Sequence, residues 1–338
     1  MASIVQLDGN TLSPAEVYAV ASENIEIKLS EDSWNRIVKS RKVVEDILES
    51  GDVVYGINTG FGSLVDTNIS NEHLQDLQLN LIRSHATGLG DPMSRPAVKA
   101  MMVARINSFA KGFSGVHPNV VQQLIDYVNH GVTPYIPRIG SLGASGDLAP
   151  LSHMALTLIG EGFVVGDDDE KIPTNDLLLD KGLIPVELSA KDGLSLINGT
   201  SQMLSYSILS LQILNNLLTI CDVIYCTSLE AFQGNAKPAD ERVHAARPHP
   251  GQILISARIR QIMQDSEILA GHKDSSKVQD PYSFRCAPQV HGAVYEALTS
   301  MRETIQIELN STTDNPCLLY TSPSPRDLST SRMPSSAG

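Results

Sequence analysis

Apolar residues recur at helical spacing over most of the chain. Residues 34–48 (WNRIVKSRKVVEDIL), 74–83 and 97–110 each place apolar side chains three and four positions apart, which predicts amphipathic helices. Pro96 ahead of the third stretch and Gly112 behind it are start and stop signals. Residues 120–128, 253–268 and 291–309 repeat the pattern. Residues 148–159 predict a helix with Asp147 in the N-cap position and Gly160-Glu161-Gly162 at its end. Residues 194–226 are longer and more apolar, but Ser205, Gln212, Asn215, Asn216 and Asp222 interrupt them. That pattern fits a helix buried among helices better than a membrane span. Few stretches alternate as strands do, so the expected fold is mainly α.

The punctuation between helices is equally informative. Residues 53–63 (VVYGINTGFGS) are too glycine-rich for a regular element and read as an ordered loop, and residues 134–146 (PYIPRIGSLGASG) are rich in Pro, Gly and small residues. The acidic run Asp167-Asp168-Asp169-Glu170 reads as a solvated turn, and no metal is assigned to it. Beyond Pro316 the chain turns to Ser, Pro and Arg with little apolar content, which predicts disorder. The expected division is an N-terminal domain over 1–193, an incomplete helical bundle over 194–318, and an unrelated-looking tail over 319–338.

Composition narrows the function classes. Against 38 Asp plus Glu stand 25 Lys plus Arg, a formal charge of −13, which argues against a basic nucleic-acid face. Hydrophobic residues at 42% and charged ones at 19% suit a packed core. The opening residues have neither a basic n-region nor a long apolar core, so no secretory signal is expected and the cytoplasm is the expected compartment. Cys221, Cys226, Cys286 and Cys317 form no C-x-x-C pair, which excludes a zinc knuckle or a redox motif and leaves buried free thiols as the expectation.

The strongest chemical signal is residues 140–150 (GSLGASGDLAP). Ala144-Ser145-Gly146 is small enough to fold back on itself, with the Gly146 nitrogen unobstructed and the Ala144 carbonyl within reach. Attack of that nitrogen on that carbonyl, with loss of the Ser145 hydroxyl, expels two waters and leaves an exposed methylene conjugated to an imidazolone. From spacing alone, a glycine-rich loop at a helix start that binds an anion is the simpler reading. A P-loop is excluded because no Gly-Lys-[Ser/Thr] follows, and the loop around Gly60 and Gly62 lacks the last glycine of a dinucleotide fingerprint, Val65 standing there.

These eleven residues resemble the signature of the aromatic amino acid ammonia-lyases, whose Ala-Ser-Gly forms a 4-methylidene-imidazole-5-one (MIO) group autocatalytically. The resemblance extends over residues 55–62, 80–90 (NLIRSHATGLG), 196–200 (LINGT), 247–252 (RPHPGQ), 277–289 (KVQDPYSFRCAPQ) and 308–316. It implies a mainly α fold, with an MIO-loop domain followed by a long-helix bundle, and a carbon–nitrogen lyase needing neither metal nor nucleotide. Ala144, Ser145 and Gly146 are the implied MIO precursors. Tyr55 is the implied base, a role that a phenol of pKa about 10 fills only where charge or hydrogen bonds stabilise the phenolate. Tyr282 is implied near the MIO group, Arg285 on the substrate carboxylate, Asn198 and Gln279 along the pocket, and His85 on a polar substrate ring.

Within the family, residues 277–286 and 247–252 resemble the histidine-specific members, which make urocanate. Gly199-Thr200-Ser201 and Glu308-Leu309-Asn310-Ser311 resemble the tyrosine ammonia-lyases and tyrosine aminomutases. Family members are homotetramers acting on a small amino acid, with no nucleic-acid or membrane partner. Their active sites join residues of neighbouring subunits, so the implied partner is another copy. Full-length members continue past residue 316 with further long helices, so an inactive fragment is the alternative expectation for this chain.

Overall fold

A computed structural model of the chain describes residues 4–23, 25–60, 69–70, 73–143, 146–271 and 277–318. The expectation of a disordered tail, and the Ala144 and Ser145 assignments, lie outside the described residues. Two compact units are present, residues 1–208 with 305–338, and residues 209–304. The boundaries fall inside long helices and not at 193/194, because packing, unlike the onset of an apolar run, can divide a continuous helix.

In the first unit, β1 (Ile4–Leu7), α1 (Pro14–Ser22), β2 (Glu26–Leu29) and α2 (Glu31–Ser50) come first. β1 and β2 pair in parallel, Ile4 opposite Glu26. α1 opens with a reciprocal cap between Ser13 and Glu16. α2 buries Ser33, Ile37, Ser40, Arg41 and Val44, one stripe of its surface, and closes on Gly51 at φ 75°. Then come α3 (Leu74–His85), β3 (Leu89–Pro92), α4 (Arg95–Ala110) and α5 (Pro118–Asn129). α4 is buried along nearly its whole length and packs on α1, α2 and α5, which makes it the axis of this unit.

β4 (Pro137–Ile139) pairs antiparallel with β3, so the Pro- and Gly-rich stretch over 134–146 contains a short strand. α6 (Leu148–Leu158) follows, and then β5 (Phe163–Val165) and β6 (Lys171–Pro173) form a hairpin whose turn is the exposed acidic run. α7 (Thr174–Asp180) and α8 (Asp192–Ile197) complete this part, with α3, α6 and α8 packed on one another. The long apolar run is not one helix. It breaks at Asn198-Gly199-Thr200 and restarts as α9 (Ser201–Ala231).

The second unit holds the later part of α9, α10 (Glu241–Ala245), α11 (Pro250–Ile262), α12 (Glu267–Gly271), α13 (Tyr282–Arg285) and the first part of α14 (Ala287–Leu309). The expected helix over 253–268 stops at Ile262, and a turn with Asp265 at φ 61° precedes α12. Tyr225, Cys226, Leu229, Ile255, Ile259, Met263 and Ala287 form the core. Buried Asp222 of α9 accepts from Arg258 of α11 at 3.3 Å and faces His291 Nδ1 of α14 at 2.7 Å. Cys226 is buried as expected, but Cys221 is exposed.

Ile213, Leu217, Ile220 and Ile224 of α9 are solvent-exposed in the single chain, so this helix buries one side and presents another apolar side outward. Residues 192–231 contain an 18-residue window apolar enough by composition to span a membrane, with a mean hydropathy of 1.5. The break at 198–200 interrupts that stretch.

The two sides of α9 should respond differently to truncation. Leu229→Ala removes a fully buried side chain and is expected to cost about 2–5 kcal/mol in urea unfolding. Leu217→Ala, at an exposed position, should stay within about 0.5 kcal/mol of the parent. Equal losses at both sites would contradict this assignment of faces.

Candidate active site

The break between α8 and α9 organises the site in the first unit. A helix start leaves backbone N–H groups without partners, and at α9 two of them are met by a side chain from elsewhere. Asp147 Oδ2 accepts from the Gln202 amide at 2.7 Å and the Met203 amide at 3.1 Å, while its Oδ1 accepts from Ser141 Oγ at 2.6 Å. Asp147 does precede α6 as expected, but its carboxylate makes no bond to that helix and caps α9 instead. Burial pushes this carboxyl above its ordinary value, opposed by the Ser141 hydroxyl, the two amides and the charge of Arg105.

Gly146 and Gly199 form the second tie. The Asp147 amide donates to the Gly199 carbonyl at 2.6 Å. Gly146 has φ 106°, and a Cβ there would stand 2.5 Å from Gly199 O and 2.7 Å from Gly199 N, so glycine is required on both conformational and steric grounds. On its other side Gly199 meets the Arg105 guanidinium, where a Cβ would collide with a terminal nitrogen.

Beneath Gly199 lies a charge cluster that sequence reasoning missed. Arg105, Lys191 and Asp314 are all fully buried, with Lys191 Nζ 3.5 Å and an Arg105 terminal nitrogen 3.7 Å from the Asp314 carboxylate. Burial lowers both cations' pKa values and raises that of Asp314, and the mutual attraction opposes each shift. Lys191 also donates to Ser195 Oγ at 3.1 Å. Arg105 stacks 4.6 Å from the Phe109 ring centroid. Its Nε and both terminal nitrogens have no hydrogen-bond acceptor among the described residues. The signals available in sequence were a lone arginine in the apolar helix of residues 97–110 and the Asp314-Asn315-Pro316 stretch, neither of which indicates a partner.

The expected site residues divide between the units. Tyr55 stands in the turn after α2 and is 36% exposed. Asn198 ends α8 and donates from Nδ2 to the Asn315 carbonyl at 2.7 Å. His85 ends α3, with Nδ1 2.8 Å from the Leu81 carbonyl and 3.0 Å from Ser84 Oγ. These residues and Gly146 belong to the first unit. In the second, Asp280 accepts from the Asn235 amide at 2.6 Å and Lys277 donates to the Phe232 carbonyl at 2.7 Å, which fastens residues 277–280 to the end of α9. Gln279 is exposed there and Tyr282 is 73% exposed. Arg285 lies with its guanidinium carbon 4.3 Å from the Tyr282 ring centroid, and its buried Nε has no hydrogen-bond acceptor among the described residues. A surface hollow of about 460 Å³ between Asp8, Thr11 and Arg36 contains none of these residues. No group of three or more His, Cys, Asp or Glu residues able to hold a metal ion occurs among the described residues.

Comparison with known proteins supplies the context for this geometry. The family model for aromatic amino acid lyases matches residues 12–333. A histidine ammonia-lyase of Myxococcus xanthus (strain DK1622) is 43% identical over 314 residues, 92% of this chain and 61% of that protein. One from Bacillus cytotoxicus is 44% identical over 93% of this chain and 62% of its own length. Among solved structures, tyrosine aminomutase from Streptomyces globisporus superposes with a TM-score of 0.88 at 37% identity, covering 94% of this chain and 63% of that one. Histidine ammonia-lyase from Trypanosoma cruzi gives 0.86 at 36%, covering 94% and 60%. The chain therefore spans about three fifths of the length of the curated relatives it matches.

Removing the Asp147 carboxylate strands two amides at the start of α9. Asp147→Ala is expected to lose about 1–3 kcal/mol of stability in urea unfolding. Asp147→Asn keeps one acceptor oxygen and should lose less, so an alanine variant as stable as the parent would refute the capping role.

Proposed function

This chain belongs to the aromatic amino acid lyase family, and from that premise we propose that its protein eliminates ammonia from L-histidine to give urocanate, the first step of histidine degradation. The observation that carries the substrate assignment is the likeness to histidine ammonia-lyases along nearly the whole chain. A tyrosine ammonia-lyase or tyrosine aminomutase is the second reading, favoured by the close superposition on a tyrosine aminomutase.

Ala144, Ser145 and Gly146 are the proposed precursors of MIO. The described part of the loop fits that role. Gly146 adopts a backbone conformation that disfavours side chains, and Gly199 closes the space a Cβ would need. Once formed, MIO supplies an electrophile that turns the substrate amine into a leaving group. Tyr55 is proposed as the base that takes the β-proton, with Tyr282 near the same reacting centre.

The other side chains bind and orient. Arg285 has a buried Nε without an acceptor, a donor left open for the substrate carboxylate. His85 places Nδ1 against a carbonyl, so in the neutral ring Nδ1 carries the proton and Nε2 is an acceptor. That atom suits the N–H of an imidazole or the O–H of a phenol, and it offers nothing to a benzene ring. Asn198 spends one donor on Asn315 and keeps its Oδ1 for the pocket, which Gln279 is proposed to line as well.

A homotetramer is the proposed assembly. Exposed Tyr282 and the outward apolar side of α9 both support completion of the site by another copy. The reading places the protein in the cytoplasm, in keeping with a metabolic enzyme.

Two measurements test this function. In the tetrameric parent protein, a peptide spanning residues 144–146 should weigh less by two waters than its sequence, and Ser145→Ala should abolish turnover. Catalysis by protein whose loop is wholly unmodified would end the MIO assignment. Offered histidine, tyrosine and phenylalanine separately, the enzyme should produce the ultraviolet-absorbing acrylate from histidine, and turnover of tyrosine alone would hand the assignment to the second reading.

A further inference from the structure

We infer that His153 is a positioning residue for recognition of the substrate ring, its Nε2 holding the turn after His85 against α6 so that the His85 imidazole meets that ring at a set place. The inference rests on the reading above that His85 faces a polar ring, and extends it to a side chain that acts through the backbone. His85 ends α3, and its ring bonds to the Leu81 carbonyl and Ser84 Oγ of that same helix, so the ring goes where the last turn of α3 goes. Helix ends fray unless something outside ties them. The Ala86 amide returns to the Ile82 carbonyl and the Thr87 amide to the His85 carbonyl. The Gly88 amide instead crosses to α6 and donates to His153 Nε2 at 3.0 Å.

The fit around Gly88 is close. A Cβ there would lie 3.1 Å from both His153 Nε2 and Pro137 Cβ, and a Cβ on Gly140 would lie 3.2 Å from the Gly88 Cα. The turn is thus held between α6 and the β4 segment, and the hydrogen bond fixes its height along α6. That helix follows directly on Gly146-Asp147, and His153 stands six residues beyond Asp147, about 9 Å along the helix. One helix therefore spaces the turn after His85 from the turn at Gly146.

The chemistry of the ring suits this task. An imidazole accepts at Nε2 only while neutral, with its proton on Nδ1. Burial lowers the His153 pKa, and the charge of Lys171 pushes the same way, so the ring stays the acceptor that the Gly88 amide needs. Lys171 is itself held, its Nζ 4.0 Å from the Phe163 ring centroid and 4.6 Å from that of Tyr135. An apolar side chain at position 153 would fill the space but leave the Gly88 amide without its acceptor and the turn free to move along α6.

The test compares, in the full-length parent enzyme, the inhibition constants of urocanate, whose ring N–H can donate to His85 Nε2, and of cinnamate, whose benzene ring cannot. His153→Leu is expected to weaken urocanate roughly tenfold, the scale of one ligand hydrogen bond, and to leave cinnamate within about twofold. His153→Gln, whose side-chain oxygen reaches the place of Nε2, should restore the parental preference. A merely structural role would weaken both ligands alike or neither, and either result overturns the inference, as does a glutamine variant no better than the leucine one. Should the leucine variant not fold, His153→Asn decides, because its shorter amide stops short of Gly88. Loss of the preference for urocanate with cinnamate unchanged then supports the inference, and the parental preference overturns it. His85→Leu is the control. If that variant keeps the parental preference, the ring reading of His85 falls and this inference with it, a failure seen in the control and not in the His153 variants.

Discussion

Backbone amides at the start of a buried helix must find acceptors, and at α9 one carboxylate oxygen of Asp147 accepts from two of them. That requirement couples two stretches of chain 55 residues apart. Asp147 must come close enough to reach Gln202, which draws the residue before it, Gly146, onto Gly199. The conformation of Gly146 and the absence of a side chain there then follow as steric necessities. A loop of small residues would otherwise have many conformations available, and here its last residue is left with very few.

The second constraint is electrostatic. Three fully buried charged side chains lie under the same glycine, and their separations of 3.5 and 3.7 Å are too long for strong charge-assisted hydrogen bonds. Such a cluster contributes little to stability, because desolvation offsets the attraction. Its value lies in geometry, since it joins α4, the start of α8 and the segment before Pro316 at one point.

The helices were legible because their apolar residues keep a 3.6-residue period and their ends are marked, as with the proline at the start of α4. Short strands were not, since elements of three or four residues show too little alternation to stand out. The break at residues 198–200 was hidden for a different reason. The flanking sequence is apolar throughout, and what interrupts the helix is Asp147, a distant residue that caps the new start. The candidate site showed the same division. Motif residues such as Gly146 and Arg285 could be named from their neighbours in sequence, whereas Arg105 and Lys191 look like ordinary helix residues until the fold brings Asp314 to them.

The long return of residues 305–318 to the first unit has a temporal side. Asn310 bonds to Leu12 across 298 positions, and Asp314 pairs with Lys191 across 123. On a ribosome these partners emerge far apart in time, so α4 waits with an unmatched buried arginine until the segment around Asp314 has left the exit tunnel. The charged floor under Gly199 is thus among the last parts of this unit to be laid, and the close approach of Gly146 to that glycine is completed over it.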